Sequence, residues 1–229
     1  MANFSKKSDL FFDLDHTLWD FEKNSDLTFK RIFGMYRISV DLDSFLLKYK
    51  PINFNYWKEY RNQKITKERL RFARLEDTFN SLGVDMESKK IKMISDDYIK
   101  YLTTFNHLFE GTTQVLDYLS SKYNLHIITN GFEEVQTLKL ERSGISRYFQ
   151  TTTTSEMAGV KKPSPKIFEL ALLNAGARIK SSIMIGDNLE ADILGAKNIG
   201  MDSIIFNYHD DIPDGIISIK KLTELLDYF

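Results

Sequence analysis

FFDLDHTLWDF, residues 11–21, is the stretch that decides the fold, because an apolar run ends there in two aspartates separated by one leucine. Alternation along an extended chain points the side chains of Asp13 and Asp15 the same way. Two carboxylates at a strand end repel each other unless a cation neutralises them. The pair therefore predicts a strand that ends in an anionic site. A polar strand exit in which Asp15 or Thr17 caps the next helix is the simpler interpretation of the pair alone.

Composition limits the class of protein. The 229 residues are 42% hydrophobic, which suffices for one large or two small domains. The formal net charge of -1 disfavours a nucleic-acid or membrane-surface binder, and the absence of cysteine excludes disulfides and thiolate chemistry. No apolar stretch approaches membrane-spanning length, and the first ten residues contain no apolar signal core. We expect a cytoplasmic protein with no nucleic-acid, membrane or obligate protein partner.

Strand and helix patterns alternate from about residue 110 onward. Apolar runs at 10–15, 125–131, 149–154, 182–187 and 202–206 predict strands, and the intervening helix patterns close on glycines 144, 176 and 200. This rhythm predicts an α/β fold, a doubly wound parallel sheet with helices on both faces. In such a sheet ligand sites lie beyond the carboxyl ends of the strands.

Residues 20–107 do not follow this alternation of strand and helix, because they show little strand signal and several amphipathic helices. One helix face is shared by Ile91, Ile94, Tyr98, Leu102 and Phe105. We predict a helical cap domain at 20–107, inserted into a core of residues 1–19 and 108–229 and covering the strand ends as a lid. A basic helix in this segment carries Arg71 and Arg74, which face either an anionic substrate or water, and neither is assigned to the site.

Two further stretches offer groups that bind anions. Thr129, Asn130 and Gly131 supply a hydroxyl, an amide and a backbone N–H that can donate to an oxyanion, although an Asn-Gly turn is equally compatible. The doublet Lys161 and Lys162 precedes a proline that restricts the backbone. Adjacency to that proline favours Lys162 as the positioned cation, whereas an isolated lysine in a loop is more often solvated.

Asp187 ends an apolar run, and Asp192 follows about one helical turn later, so that both also suit a helix N-terminus. Because the carboxyl ends of parallel strands meet at one edge, all these groups converge there. Oxygen ligands suit Mg²⁺. We expect Asp13, Asp15 and Asp187 to form its site, with the Asp15 side chain off the metal and Asp192 orienting the ligands.

The chemistry that follows is hydrolysis of a phosphomonoester. Asp13 attacks phosphorus to form an aspartyl-phosphate, and Asp15 protonates the leaving oxygen and later accepts a proton from water. The equatorial phosphate oxygens are stabilised by Thr129, Asn130, Gly131 and Lys162.

The motifs FFDLDHTL, IITNG, KKPSPKIF and IGDNLEADILGAKNIG together resemble those of the haloacid dehalogenase-like hydrolases, over nearly the whole chain. The resemblance implies a Rossmann-like core, a helical cap inserted after the first motif, Mg²⁺ dependence and an aspartyl-phosphate intermediate. Asp15 matches the phosphatase pattern and argues against carbon–halogen cleavage. His16 stands where many members have glycine, and we interpret it as a turn or hinge residue.

Within that family, DLDHTLWDF together with TNG and a cap of this size is similar to the bacterial pyrimidine 5'-nucleotidase branch. A nucleoside 5'-monophosphate phosphatase is therefore the expected activity. The alternatives are a sugar-phosphate or phosphoglycolate phosphatase, a phosphomutase, and a phosphate-binding regulatory module without turnover.

Overall fold

Six parallel strands form one sheet in the computed structural model, which describes residues 4–207 and 212–229. They are β1 (Asp9–Phe12), β2 (Asn124–Thr129), β3 (Phe149–Thr154), β4 (Ser182–Gly186), β5 (Asp202–Phe206) and β6 (Ile217–Ile219). Their spatial order is β3-β2-β1-β4-β5-β6, and every neighbouring pair is parallel. The predicted α/β parallel-sheet fold is confirmed. The sequence did not predict β6, a three-residue strand at the edge of the sheet.

The central strand is β1, and all four of its residues are buried. In the register, Phe12 lies opposite Ile127 on β2 and Ile185 on β4. The three strands therefore end side by side, so the residues that follow them share one edge of the sheet. This register is what brings distant sequence motifs to a common site.

Helices follow the strands in the order that the sequence indicates. They are α5 (Thr112–Ser120), α6 (Glu133–Arg142), α7 (Ser155–Ala158), α8 (Pro165–Ala175) and α9 (Gly195–Asn198), the last preceded by a π-helical turn, Leu189–Leu194. Helix α8 packs on the sheet through Ile167 and Phe168, which join Phe11 and Met184 in one buried cluster. No helix in the described part of the chain is long and apolar enough to cross a membrane.

The chain separates into two compact units, Met1–Phe21 with Asn106–Phe229, and Glu22–Phe105. The second unit is helical, with α1 (Phe21–Tyr36), α2 (Leu42–Arg61), α3 (Lys67–Ser81) and α4 (Ser88–Leu102). Its core is aromatic. The Phe29 ring lies 4.6 Å from Tyr49 and 4.7 Å from Tyr98, between ring centroids.

The two arginines of the basic helix α3 have different environments. Arg71 forms an ion pair with Asp96 at 2.9 Å, and the Asp96 side chain is 60% exposed. Arg74 is 1% exposed, donates to Asn53 at 2.8 Å and lies over the Tyr98 ring at 5.0 Å from its centroid. Arg74 thus belongs to the aromatic core of the helical unit, whereas Arg71, whose side chain is 22% exposed, is ion-paired near the surface.

Candidate active site

Asp13 continues β1 beyond its last paired residue. Its backbone N–H donates to the Ile185 carbonyl at 2.9 Å, so the neighbouring strand β4 fixes its position. The residue is 7% exposed, and its Oδ1 lies 2.5 Å from the Lys162 ammonium nitrogen. Asp13 therefore lies just beyond the end of β1, with its carboxylate buried against Lys162.

Lys162 is a buried cation with three oxygen partners. Its ammonium donates to Asp13 and to the Ile128 carbonyl at 2.8 Å, and it lies 2.6 Å from Asp192 Oδ1. The Lys162 side chain is 2% exposed. Of the two lysines in the doublet, the structure therefore brings Lys162 to the carboxylates at the end of β1.

The backbone of Lys162 is held by the side chain of Asn130. The Lys162 N–H donates to Asn130 Oδ1 at 2.8 Å, and Asn130 Nδ2 donates to the Lys162 carbonyl at 3.1 Å. Sequence reasoning placed the Asn130 amide against a phosphate. In the structure this amide binds the loop that carries the lysine.

Asp187 and Asp192 flank the loop after β4. Thr17 donates to Asp187 Oδ1 at 3.3 Å, and the Asn188 N–H donates to Asp192 Oδ2 at 3.0 Å. Gly186 makes this arrangement possible, because a Cβ at that position would lie 2.5 Å from the Asp192 carboxyl carbon. A side chain on residue 186 would displace Asp192.

Three carboxylates, of which that of Asp187 is half-buried, share this space with one ammonium, so ionisation of all three would leave an excess of negative charge. Burial, followed by repulsion from Asp192, raises the pKa of Asp187 to about 8. Burial also raises the pKa of Asp13 well above its ordinary value, and Lys162 offsets only part of that effect. Burial alone would lower the pKa of Lys162, but Asp13 and Asp192 raise it above its ordinary value. A further cation would neutralise the remaining charge.

Asp13, Asp187 and Asp192 form a group that could hold a metal ion, since each offers an oxygen and these atoms all lie within 4.8 Å of one another. An all-oxygen donor set suits a hard divalent cation. The group differs from the metal set expected from the sequence, because it contains the Asp192 side chain, whereas that of Asp15 binds elsewhere.

Thr129 and Gly131 form a compact turn at the end of β2. Thr129 Oγ1 accepts the Gly131 N–H at 3.0 Å and the Gln136 side-chain amide at 2.7 Å. With both lone pairs engaged, the Thr129 hydroxyl hydrogen is left to donate. This geometry is compatible with the predicted contact to an oxyanion.

Asp15 lies among residues that sequence reasoning missed. Lys139 on α6 donates to both carboxylate oxygens, at 2.6 and 2.8 Å, and Gln136 donates to Oδ2 at 3.1 Å. Both residues are buried on the same face of α6 as Val135 and Leu140. Their signal in the sequence was a lysine and a glutamine at positions where an amphipathic helix has apolar residues.

His16 follows in a turn with φ of 64°. Its N–H donates to the Trp19 carbonyl at 3.0 Å, and its ring lies 4.9 Å from that of Phe21. A left-handed backbone conformation is one that glycine adopts most easily.

The fold and this site define a class of hydrolase. The family model of the haloacid dehalogenase-like hydrolases matches residues 10–206, so the chain belongs to that family. The family resemblance inferred from the four motifs is confirmed, as is the expectation of an enzyme.

Two curated relatives are pyrimidine 5'-nucleotidases. YjjG of Escherichia coli is 32% identical over 225 residues, covering 95% of this chain and 96% of its own. PynA of Streptococcus pneumoniae is 33% identical over 202 residues, covering 87% of this chain and 84% of its own. The predicted similarity to this branch is therefore confirmed.

A solved structure of similar fold is the putative HAD-hydrolase YfnB of Bacillus subtilis, in a magnesium-bound form. It superimposes with a TM-score of 0.87 at 26% identity, covering 96% of this chain and 97% of that one. The 2-haloacid dehalogenase of Pseudomonas syringae matches with a TM-score of 0.65 at 23% identity, which shows the shared fold alone.

Proposed function

We propose that this protein is a Mg²⁺-dependent phosphomonoester hydrolase that acts on nucleoside 5'-monophosphates through an aspartyl-phosphate. The observation that carries the proposal is the buried contact between Asp13 and Lys162 inside a group of three carboxylates. A carboxylate that attacks a phosphate dianion needs neighbouring positive charge, and this site has both a fixed ammonium and a place for a cation.

Asp13, Asp187 and Asp192 would hold Mg²⁺, with the Asp15 side chain off the metal as the sequence suggested. When bound, the ion supplies positive charge against the phosphate oxygens and the nucleophile. The excess negative charge described above supports this assignment, as does the magnesium-bound structure of YfnB.

The reaction proceeds in two displacements. The Asp13 oxygen forms a bond to phosphorus as the ester P–O bond breaks, and Asp15 gives its proton to the leaving oxygen. Asp15 then accepts a proton from water while the water oxygen bonds to phosphorus and the Asp13–phosphorus bond breaks. Lys162 and the Thr129 hydroxyl stabilise the equatorial oxygens in both steps.

The nucleotide preference rests on the two relatives named pyrimidine 5'-nucleotidases, which align with nearly the whole chain. A second candidate is a sugar-phosphate phosphatase. A glyceraldehyde 3-phosphate phosphatase of Pyrococcus abyssi is 35% identical over 204 residues, covering 87% of this chain. We propose the helical unit Glu22–Phe105 as the cap that selects between such substrates.

The test is phosphate release from UMP, dUMP, dTMP, purine monophosphates and glyceraldehyde 3-phosphate, with Mg²⁺ or with EDTA. We expect Mg²⁺-dependent release that is fastest for the pyrimidine nucleotides, and loss of release in Asp13→Asn. Asp214→Asn makes the same chemical change at an exposed position and should retain full activity. Equal rates in wild type and Asp13→Asn would reject the mechanism, and glyceraldehyde 3-phosphate as best substrate would reject the nucleotide assignment.

A further inference from the structure

The carboxylates of Asp13 and Asp15 belong to one short motif, yet each has its own ammonium. Lys162 reaches Asp13 from the loop before α8, and Lys139 reaches Asp15 from α6. The Lys139 side chain is 2% exposed, and its two contacts to Asp15 are 2.6 and 2.8 Å long. A lysine that spans both oxygens restricts rotation of the carboxylate.

Gln136 fixes the same carboxylate from a second direction. Its side-chain nitrogen donates to Asp15 Oδ2 at 3.1 Å and to Thr129 Oγ1 at 2.7 Å, which links Asp15 to the end of β2. Gly131 leaves the room for this amide, because a Cβ there would lie 2.6 Å from the Gln136 amide carbon and 3.2 Å from Asp15 Oδ2.

Aromatic rings surround the remaining sides of the Lys139 ammonium. It lies 4.5 Å from the centroid of a Trp19 ring and 5.4 Å from that of Phe21. Both distances are within the range of cation–π attraction. The ammonium therefore contacts the Asp15 carboxylate and lies within cation–π range of two aromatic rings.

Stability alone does not account for this arrangement. Burying the Lys139 ammonium costs desolvation that its attraction to the Asp15 side chain, which is 20% exposed, only partly recovers. Apolar residues of similar volume are often as stable in place of such a pair. The Gln136 Oε1 atom is buried without a hydrogen-bond partner, which adds a further cost. Orientation of the Asp15 carboxylate is what these costly contacts provide.

We propose that Lys139 and Gln136 are positioning residues that hold Asp15 for its proton transfers, an inference that rests on the proposed function. Asp15 must reach the leaving oxygen in the first displacement and water in the second. A carboxylate free to rotate would satisfy both geometries less often, and proton transfer would slow. Lys139 and Gln136 act through Asp15 and need not contact the substrate.

Lys139→Met tests this, because methionine retains an unbranched apolar side chain and removes the charge. With the preferred nucleotide we expect kcat to fall about 10- to 100-fold, with KM changing less than about 3-fold. p-Nitrophenyl phosphate needs little protonation of its leaving group. With it, the variant should release a burst of about one equivalent of nitrophenol before slow turnover, since only the second displacement needs the oriented Asp15.

Two variants accompany it. Lys139→Arg should recover most of the lost kcat, because a guanidinium can span both carboxylate oxygens. Arg142→Met removes a positive charge from an exposed position on the same helix and should leave kcat unchanged. A general effect of helix charge or of helix stability would instead lower kcat in both methionine variants.

A double-mutant comparison separates this inference from the proposed function. In an Asp15→Asn background, Lys139→Met should cause no further loss of kcat, whereas a loss of the same size as in the wild type would overturn the inference. Full activity of Lys139→Met beside an inactive Asp15→Asn would also overturn it. Full activity of Asp15→Asn would reject the proposed function instead.

Circular dichroism and thermal melting show whether Lys139→Met folds. If Lys139→Met does not fold, Gln136→Met is used to test the same proposal. We expect a several-fold lower kcat on the nucleotide and a retained nitrophenol burst. An unchanged kcat in a folded Gln136→Met would count against the inference.

Discussion

Asn130 and Lys162 are joined by two reciprocal hydrogen bonds, from the Lys162 N–H to Asn130 Oδ1 at 2.8 Å and from Asn130 Nδ2 to the Lys162 carbonyl at 3.1 Å. They connect the turn after β2 to the loop that precedes α8. The ammonium of the same lysine binds the Ile128 carbonyl, two residues before Asn130. The position of the Lys162 ammonium is thus set by the strand next to the one that ends at Asp13.

Asn130→Ala should therefore impair catalysis and stability together. It leaves the Lys162 N–H and carbonyl without these partners, so we expect about 1–3 kcal/mol less free energy of unfolding. Displacement of the ammonium should lower kcat about 10-fold or more. Urea unfolding and steady-state kinetics measure the two effects. Asn174→Ala removes a part-buried asparagine contact to Thr153 on β3, away from Lys162, and should leave kcat unchanged; a wild-type kcat in Asn130→Ala would contradict the prediction.

The lysine doublet provides a matched pair of substitutions. Lys162→Met removes the ammonium that binds Asp13 and should lower kcat roughly 100-fold or more, as loss of a group stabilising transition-state charge does. Lys161→Met removes the adjacent charge, whose electrostatic partner is Glu156, and should stay within about 3-fold of wild type. Equal losses in the two variants would show that overall positive charge, rather than the position of Lys162, supports the reaction.

Gly186→Ala should weaken metal binding, because the new Cβ would meet the Asp192 side chain. We expect a higher Mg²⁺ concentration for half-maximal activity, and a loss of about 1–3 kcal/mol in unfolding free energy from overpacking. Magnesium titration of activity and urea unfolding are the measurements. Gly34→Ala is the control, since no atom lies within 4 Å of the added Cβ in helix α1, and it should be neutral or stabilising. An unchanged magnesium requirement in Gly186→Ala would contradict the expectation.

His126 predicts a pH dependence of stability that is separate from catalysis. It lies buried on β2 with Nδ1 2.9 Å from Thr151 and Nε2 3.3 Å from Asp9, the charged group that faces it from β1. Burial lowers the pKa of His126 below its ordinary value, and Asp9 offsets part of that effect. The unfolded chain therefore takes up the proton at higher pH than the folded protein.

The contribution of His126 to stability is fully present above the unfolded pKa of about 6.5 and declines as pH falls below it towards the folded pKa. Urea unfolding between about pH 7.5 and 5.5 should show a smaller decline in the free energy of unfolding of His126→Gln than of wild type. His107→Gln replaces an exposed histidine and should keep the wild-type slope. Identical slopes in all three proteins would refute the assignment to His126.

The local sequence was enough to predict that the candidate site residues follow the ends of strands. Apolar runs that stop at Asp13, Thr129 and Asp187 predict buried parallel strands, and such strands bring the residues that follow them to one edge. The proline next to the doublet favoured Lys162 as the positioned lysine, and in the structure the Lys162 ammonium contacts Asp13. The apolar pattern of a strand involves residues close together along the chain, so a strand can be recognised from the sequence alone.

Only the tertiary structure decided which partner each polar group has. Asp192 contacts Lys162 because Gly186 has no side chain, Asn130 binds the lysine loop, and Asp15 meets α6. Helical periodicity placed Lys139 and Gln136 on a buried face, but no local pattern indicates what lies opposite that face. Such pairings depend on how strands align in register and how helices pack across the sheet, and those contacts join residues far apart along the chain, 32 positions between Asn130 and Lys162 and 124 between Asp15 and Lys139.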